Sequence, residues 1–302
     1  MAKTELKKQR RKRFGIQAVW TAATNANISG FFAGKLYRGP LKNLCVPGLN
    51  CYSCPGALGS CPIGALQAVS SSPDYTLSML VLGFLMLVGT VLGRAVCGFL
   101  CPFGWFQDML YKLPVKKFST RHLKPLTYLK YGILVVFVFL LPAFWTNALG
   151  MGNPTFCKYV CPQGVLQGAL PLAAVDSSIR AALGSLFTWK FALLAGIVVL
   201  SAMLYRPFCK WLCPLGAIYG LFHRISLYRI AFHAPKCVQC GKCSSICKMD
   251  CNPTKDPNSA ECIRCGDCAA VCPVGALEKG IGVGLGAKTS AYPGMESTDA
   301  GL

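Results

Sequence analysis

The chain has 302 residues, of which 53% are hydrophobic and 14% charged, and its mean hydropathy is +0.45. Soluble domains carry about a quarter charged residues, so lipid is expected to be part of the solvent. Thirty-one Lys and Arg against 11 Asp and Glu give a formal charge of +20. The basic residues sit in short blocks beside apolar runs, which suits the positive-inside pattern of a membrane protein and argues against nucleic-acid binding.

Residues 1–13 hold Lys3, Lys7, Lys8, Arg10, Arg11, Lys12 and Arg13 against Glu5, and read as a basic cytoplasmic N-terminus. A signal peptide begins in the same way, but 14–37 lacks a compact apolar core and a clean cleavage site, so it reads as retained. Four stretches approach the roughly 20 apolar residues that cross a hydrocarbon core. The first, about 14–34, is uncharged but carries Thr21, Thr24, Asn25, Asn27 and Ser29. The others lie near 76–96, 126–146 and 187–205. Between the last two, an apolar run broken by Pro171, Asp176 and Arg180 predicts a short interfacial or re-entrant helix.

Basic residues follow the second and fourth stretches (Lys112 to Lys130, and Arg206 to Lys236) and are scarcer in the opposite loops. Four spans with both termini in the cytoplasm satisfy that distribution. The expected fold is an all-α integral membrane bundle of about four transmembrane helices over 14–230. A small α+β bacterial ferredoxin-like domain over 231–279 and a flexible tail over 280–302 complete it. The expected location is the cytoplasmic membrane, as a multi-pass protein.

Nineteen cysteines fall in tight runs rather than in the spread pattern of a disulfide framework. Near the C-terminus, Cys237-x2-Cys240-x2-Cys243-x3-Cys247 precedes Cys262-x2-Cys265-x2-Cys268-x3-Cys272-Pro. This is the bacterial ferredoxin spacing, in which the fourth cysteine of each run ligates the other cluster. It assigns Cys237, Cys240, Cys243 and Cys272 to one 4Fe–4S cluster, and Cys262, Cys265, Cys268 and Cys247 to a second. Paired zinc sites are the alternative, but zinc seldom uses two complete runs of this kind. The first run lacks Pro after its fourth cysteine, and Cys251 competes with Cys247 as a ligand.

The motif Cys-Pro-x-Gly recurs at Cys61, Cys101, Cys161, Cys213 and Cys272. Two copies match over a longer window, RAVCGFLCPFG from Arg94 and RPFCKWLCPLG from Arg206, which points to a duplicated span-plus-ligand unit. Proline fixes φ in the turn that holds the thiolate, and the glycine admits a close backbone approach. Three Cys-x3-Cys-Pro motifs each supply two thiolates, half of what a cube needs. Cys97 and Cys101 share a predicted side with Cys209 and Cys213, so these four form a third cluster. Cys157 and Cys161 fall on the opposite face with the Cys45–Cys61 segment. Cys54 and Cys61 complete a fourth cluster there, with Cys51 or Cys45 as substitutes.

These motifs, with the run GPLKNLCVPGLNCYSCPGALGSCPIGALQ from Gly39, resemble the membrane polyferredoxins of the NapH and NosR type over about 14–279. The resemblance implies electron transfer between membrane quinols and respiratory redox partners. The expected function is that of an electron-transfer subunit rather than a stand-alone enzyme. It exchanges electrons between a cytoplasmic donor or acceptor (ferredoxin, flavoprotein or respiratory reductase) and a quinone pool or extracytoplasmic partner. Two other classes compete: a redox-sensing membrane regulator, and an accessory factor for assembling or reactivating a metalloenzyme. No catalytic residue is expected, and no GxGxxG, P-loop or nucleophile elbow occurs. His122, His223 and His233 read as solvated or interfacial. Clusters at opposite faces would lie too far apart for rapid transfer, so the outer loops are expected to re-enter toward the midplane.

Overall fold

The computed structural model describes residues 2–70, 76–145 and 153–282, which are mostly helical with one two-stranded antiparallel sheet. The basic N-terminal run and the first apolar stretch share one helix, Ala2–Thr24. It stops where asparagine side chains offer the backbone other partners. Asn25 Nδ2 donates to the Thr21 carbonyl at 3.0 Å, and Asn27 Nδ2 to the Pro55 carbonyl at 2.8 Å. A second short helix, Ile28–Ala33, follows. The single span expected over 14–34 is therefore two helices. The first is held by ion pairs from Arg10 to Asp267 and from Arg13 to Asp108.

The stretch expected to span 76–96 yields a shorter helix, Thr76–Val91. The chain turns at Gly93, where φ is 55°, and restarts as Ala95–Phe99 with Arg94 drawn fully inside. Two helices are long and apolar enough to cross a membrane, Arg121–Phe144 and Ser185–Met203. The first passes through a π-helical stretch, Leu134–Leu140, just before Pro142 removes a backbone donor. Among the described residues, the expected four-span bundle thus reduces to two helices of spanning length. Met79–Val91 and Gly164–Val175 are shorter apolar helices. The interrupted segment before the last long helix ends in Ser177–Ala181, capped by Asp176, whose carboxylate accepts from the Ser178 amide at 2.8 Å.

The long helices bury little of their apolar surface: 28% and 17% of their most apolar windows. Val135, Phe139, Phe191 and Val199 are all exposed.

Strand β1, Tyr228–Phe232, pairs with β2, Leu277–Ile281, Tyr228 standing opposite Ile281. The pair brackets the cysteine-rich segment, one strand on either side of Cys237–Cys272. The expected tail falls outside the described residues from 283 onward. The terminal domain does not hang free. One hydrophobic core runs from Ile63 through Val96, Phe103 and Tyr219 to Met249 and Ile263. Arg264, fully buried between Cys262 and Cys265, donates to the His223 carbonyl at 2.6 Å and to Ser226 Oγ at 2.5 Å.

Candidate metal centres

The eight cysteines of the two terminal runs divide between two cavities in a crossed manner. Cys237, Cys240, Cys243 and Cys272 line one of about 270 Å³. Cys247, Cys262, Cys265 and Cys268 line a tighter one of about 20 Å³. Backbone amides point at the sulfurs: Ala276 donates to Cys272 Sγ at 3.2 Å, and Arg264 to Cys262 Sγ at 3.4 Å. Cys251 lines the tighter cavity as a fifth thiol. Its single S–H points at the Met249 carbonyl at 3.6 Å, and its interaction with the neighbouring Cys247 and Cys262 sulfurs lowers both of those thiols against the effect of burial. Its own thiol is pushed far up by those same neighbours and by burial.

A third set is built from the duplicated windows. Cys101 is the N-cap of the helix Pro102–Leu110 and Cys213 that of Pro214–Leu221, each with Pro in the first turn. Proline is pre-organised there, and the helix N-terminus favours a thiolate beside it. In these two copies the Cys-Pro pair places a cysteine where a helix presents unpaired amides. Cys97, Cys101, Cys209 and Cys213 are 5%, 6%, 5% and 5% exposed. They lie within mutual electrostatic reach. Gln107 Nε2 donates to Cys209 Sγ at 3.1 Å, and the Gly104 amide to Cys101 Sγ at 3.4 Å. Burial, with the neighbouring thiols, pushes both Cys209 and Cys213 well up. Such thiols keep their protons until a positively charged inorganic group takes them.

In the fourth grouping the residue beside Cys61, Cys157 and Cys161 is Cys51, one of the expected substitutes for Cys54. Cys161 lies within electrostatic reach of Cys157, Cys51 and Cys61. Gln67 Nε2 donates to Cys157 Sγ at 3.2 Å, and the Cys51 amide donates to Gln167 Oε1 at 3.0 Å. Cys54 faces away, its thiol directed at Asn25 Oδ1 at 3.6 Å. Geometry therefore brings Cys51, Cys61, Cys157 and Cys161 together, and Cys54 stands aside. Spacing alone carried no signal for this, because Cys51 and Cys54 share one irregular loop.

Among the described residues, no three His, Cys, Asp or Glu side chains converge tightly enough for a single metal ion. A 4Fe–4S cube holds each thiolate at a separate corner, so a wider ring of four fits it. The donor chemistry agrees: soft thiolates, buried walls and N–H groups aimed at sulfur.

The sets touch through glycines. A Cβ on Gly98, between Cys97 and Cys101, would lie 2.5 Å from the Ile263 carbonyl oxygen, between Cys262 and Cys265. A Cβ on Gly48 would lie 2.5 Å from the Leu100 carbonyl and 2.9 Å from Cys101 Cα. Only glycine permits such approaches. Tyr219, fully buried, donates to the Pro47 carbonyl at 2.9 Å and joins the third set's helix to the Cys45–Cys61 segment.

The histidines are not alike. His223 is fully buried, contrary to the sequence expectation, and its Nδ1 accepts from the Arg94 amide at 3.4 Å. Burial, then Arg264 and Arg94, lowers it to about 2, so it stays neutral. His233 lies 3.6 Å from Glu278 and is partly exposed.

One 4Fe-4S binding domain family matches residues 75–121, 131–171 and 186–235, and a second 4Fe-4S binding domain family matches 256–278. The chain is an iron–sulfur polyferredoxin. The methylamine utilization ferredoxin-type protein MauN of Paracoccus denitrificans is 32% identical, over 59% of the polyferredoxin and 55% of MauN. YccM of Escherichia coli, whose name describes an electron transport protein, is 25% identical over 57% and 46% of the two chains. An uncharacterized protein of Methanocaldococcus jannaschii is 28% identical over 58% and 60%. The polyferredoxin covers between 46% and 68% of the length of these curated relatives and others like them. No solved structure matches it.

Proposed function

We propose that the polyferredoxin is a multi-pass protein of the cytoplasmic membrane that carries electrons through four 4Fe–4S clusters. Their ligands are Cys237/Cys240/Cys243/Cys272, Cys247/Cys262/Cys265/Cys268, Cys97/Cys101/Cys209/Cys213 and Cys51/Cys61/Cys157/Cys161. A bound cube supplies the redox chemistry, taking up and returning an electron. The protein holds the thiolates, excludes water and directs N–H groups at sulfur.

The observation that carries this reading is continuity. Residues from within the second and third sets pack directly on one another at Gly98 and Ile263, and Gly48, three residues before Cys51 of the fourth, packs on Leu100 and Cys101 of the third. The names of YccM and MauN, an electron transport and a ferredoxin-type protein, favour the same reading. For the membrane, the support is the exposed apolar surface of the two long helices, since a soluble core helix would be mostly buried. The N-terminal helix packs on the terminal domain, Gln9 Nε2 donating to the Cys265 carbonyl at 2.7 Å, which favours both termini on one side. The proposed partners are a cytoplasmic ferredoxin, flavoprotein or reductase at the terminal domain, and a quinone or extracytoplasmic acceptor beyond the fourth set.

An assembly factor would need spare thiols free to hand over metal. Cys54 and Cys251 are instead buried, and Cys45 is half-buried, which favours a stable carrier. Anaerobic protein should be titrated by EPR with quinol and with reduced ferredoxin separately. The reading expects electrons from at least one donor to reach all clusters. Reduction that stops at the terminal domain with either donor would overturn it.

A further inference from the structure

The duplicated windows start with an arginine three residues before their first cysteine: Arg94 before Cys97, and Arg206 before Cys209. Both guanidinium groups are fully buried, and each reaches across to the other half. Arg206 Nη1 donates to the Cys97 carbonyl at 2.5 Å, and Arg94 Nη2 to the Cys209 carbonyl at 3.2 Å. The third Cys-x3-Cys-Pro motif has no arginine at that place, yet the same bond is made. Lys190 Nζ, from the apolar helix Ser185–Met203, donates to the Cys157 carbonyl at 3.0 Å.

The recurring glycine of each motif faces that same cation. A Cβ on Gly104 would lie 3.2 Å from Arg206 Nη1, one on Gly216 3.6 Å from Arg94 Nη2, and one on Gly164 3.1 Å from Lys190 Nζ. The glycine thus leaves room for a cation as it reaches the carbonyl of the motif's first cysteine. A lone lysine in an otherwise apolar helix is costly unless it serves the protein interior.

Resting on the four-cluster reading, we infer that Arg94, Arg206 and Lys190 are positioning residues that raise the potentials of the third and fourth clusters. Each cluster set with its thiolates carries negative charge, and reduction adds more. A fixed cation in a low-dielectric wall stabilises the reduced form more than the oxidised one. Arg94 and Arg206 also lock the two halves of the third set in register. Their charge is partly offset by Glu261 at 2.8 Å and by Asp108 at 2.6 Å.

The carboxylates give a test with opposite signs. Asp108→Asn frees the charge of Arg206 and should raise the third cluster's potential. Arg206→Gln leaves Asp108 opposed only by Arg13, farther off at 3.6 Å, and should lower it, with Arg206→Lys intermediate. Lys190→Met should lower the fourth cluster's potential, leave the third in place, and be rescued by Lys190→Arg. Each lowering should make the cluster about tenfold less reduced at a fixed potential, about 59 mV for a one-electron couple. The readout is an EPR-monitored redox titration of anaerobically purified full-length protein. Shifts of the same sign in Asp108→Asn and Arg206→Gln, or no shift in Lys190→Met, would overturn the inference. If Arg206→Gln does not fold, Asp108→Asn and Lys190→Met still decide it. Wild-type protein lacking EPR signals beyond the terminal domain would instead refute the four-cluster reading itself.

Discussion

Glu261 precedes Cys262 and accepts two cations that have no access to solvent. Arg94 Nη1 lies 2.8 Å from one carboxylate oxygen, and Lys130 Nζ contacts the other. Both cations have fully buried side chains, whereas the carboxylate is 21% exposed. Glu261→Gln keeps the shape but leaves two buried positive charges with no carboxylate. Breaking one buried pair costs about 3–5 kcal/mol because a charge is stranded, and this side chain serves two. Arg94 keeps its bonds to the Ala260 carbonyl at 2.5 Å and the Cys209 carbonyl at 3.2 Å. That partial compensation places the expected loss near the lower end, about 3 kcal/mol. Burial works to raise the Glu261 carboxyl, but Arg94 and then Lys130 outweigh it and hold it below its ordinary value. The contribution is therefore complete above the unfolded carboxyl pKa of about 4.3 and is lost as pH falls through the lower folded value. Urea unfolding of the detergent-solubilised protein, followed by tryptophan fluorescence at neutral pH, measures the loss. A change below about 1 kcal/mol, the worth of an exposed pair, would refute the reasoning.

Further outcomes follow from the cysteine sets. Cys51→Ala should lose about four irons per chain, one cube, whereas Cys54→Ala should lose none, as read by iron analysis after anaerobic purification. Cys251→Ala should keep its iron but lower the potential of the second cluster, since Cys247 and Cys262 lose a neighbouring thiol able to donate to one of them. Gly98→Ala should part the second and third sets, because its Cβ would meet the Ile263 carbonyl at 2.5 Å. Stopped-flow reduction should then show a severalfold slower second phase with the terminal clusters still reduced promptly.

The terminal runs were legible because their information is local: three thiols on one tight turn, with a fourth supplied by the other run. The Cys-Pro motifs stood out as a local turn chemistry repeated beside cysteines, but that Cys101 and Cys213 cap helices is visible only in the fold. The choice between Cys51 and Cys54 was not. The proposed choice rests on Gln167, which holds the Cys51 amide, and on Asn25, which faces the Cys54 thiol, both distant in sequence and visible only once the helices are packed. The break in the first apolar stretch was not foreseen, because Asn25 and Asn27, noted as polar, bond the Thr21 and Pro55 carbonyls between the two helices. The duplicated arginines stood in plain register, but their crossing to opposite halves is a property of the fold. Lys190 offered a usable signal, a charge inside an apolar span, that pattern reading alone had no partner for.

The central claim is that thiolates from separate segments, both within and outside the terminal domain, share inorganic cubes. Iron and acid-labile sulfide should be counted on anaerobically purified full-length protein, against a concentration from quantitative amino-acid analysis. Four cubes predict about sixteen of each per chain. A count near eight, confined to the terminal domain, would contradict the account.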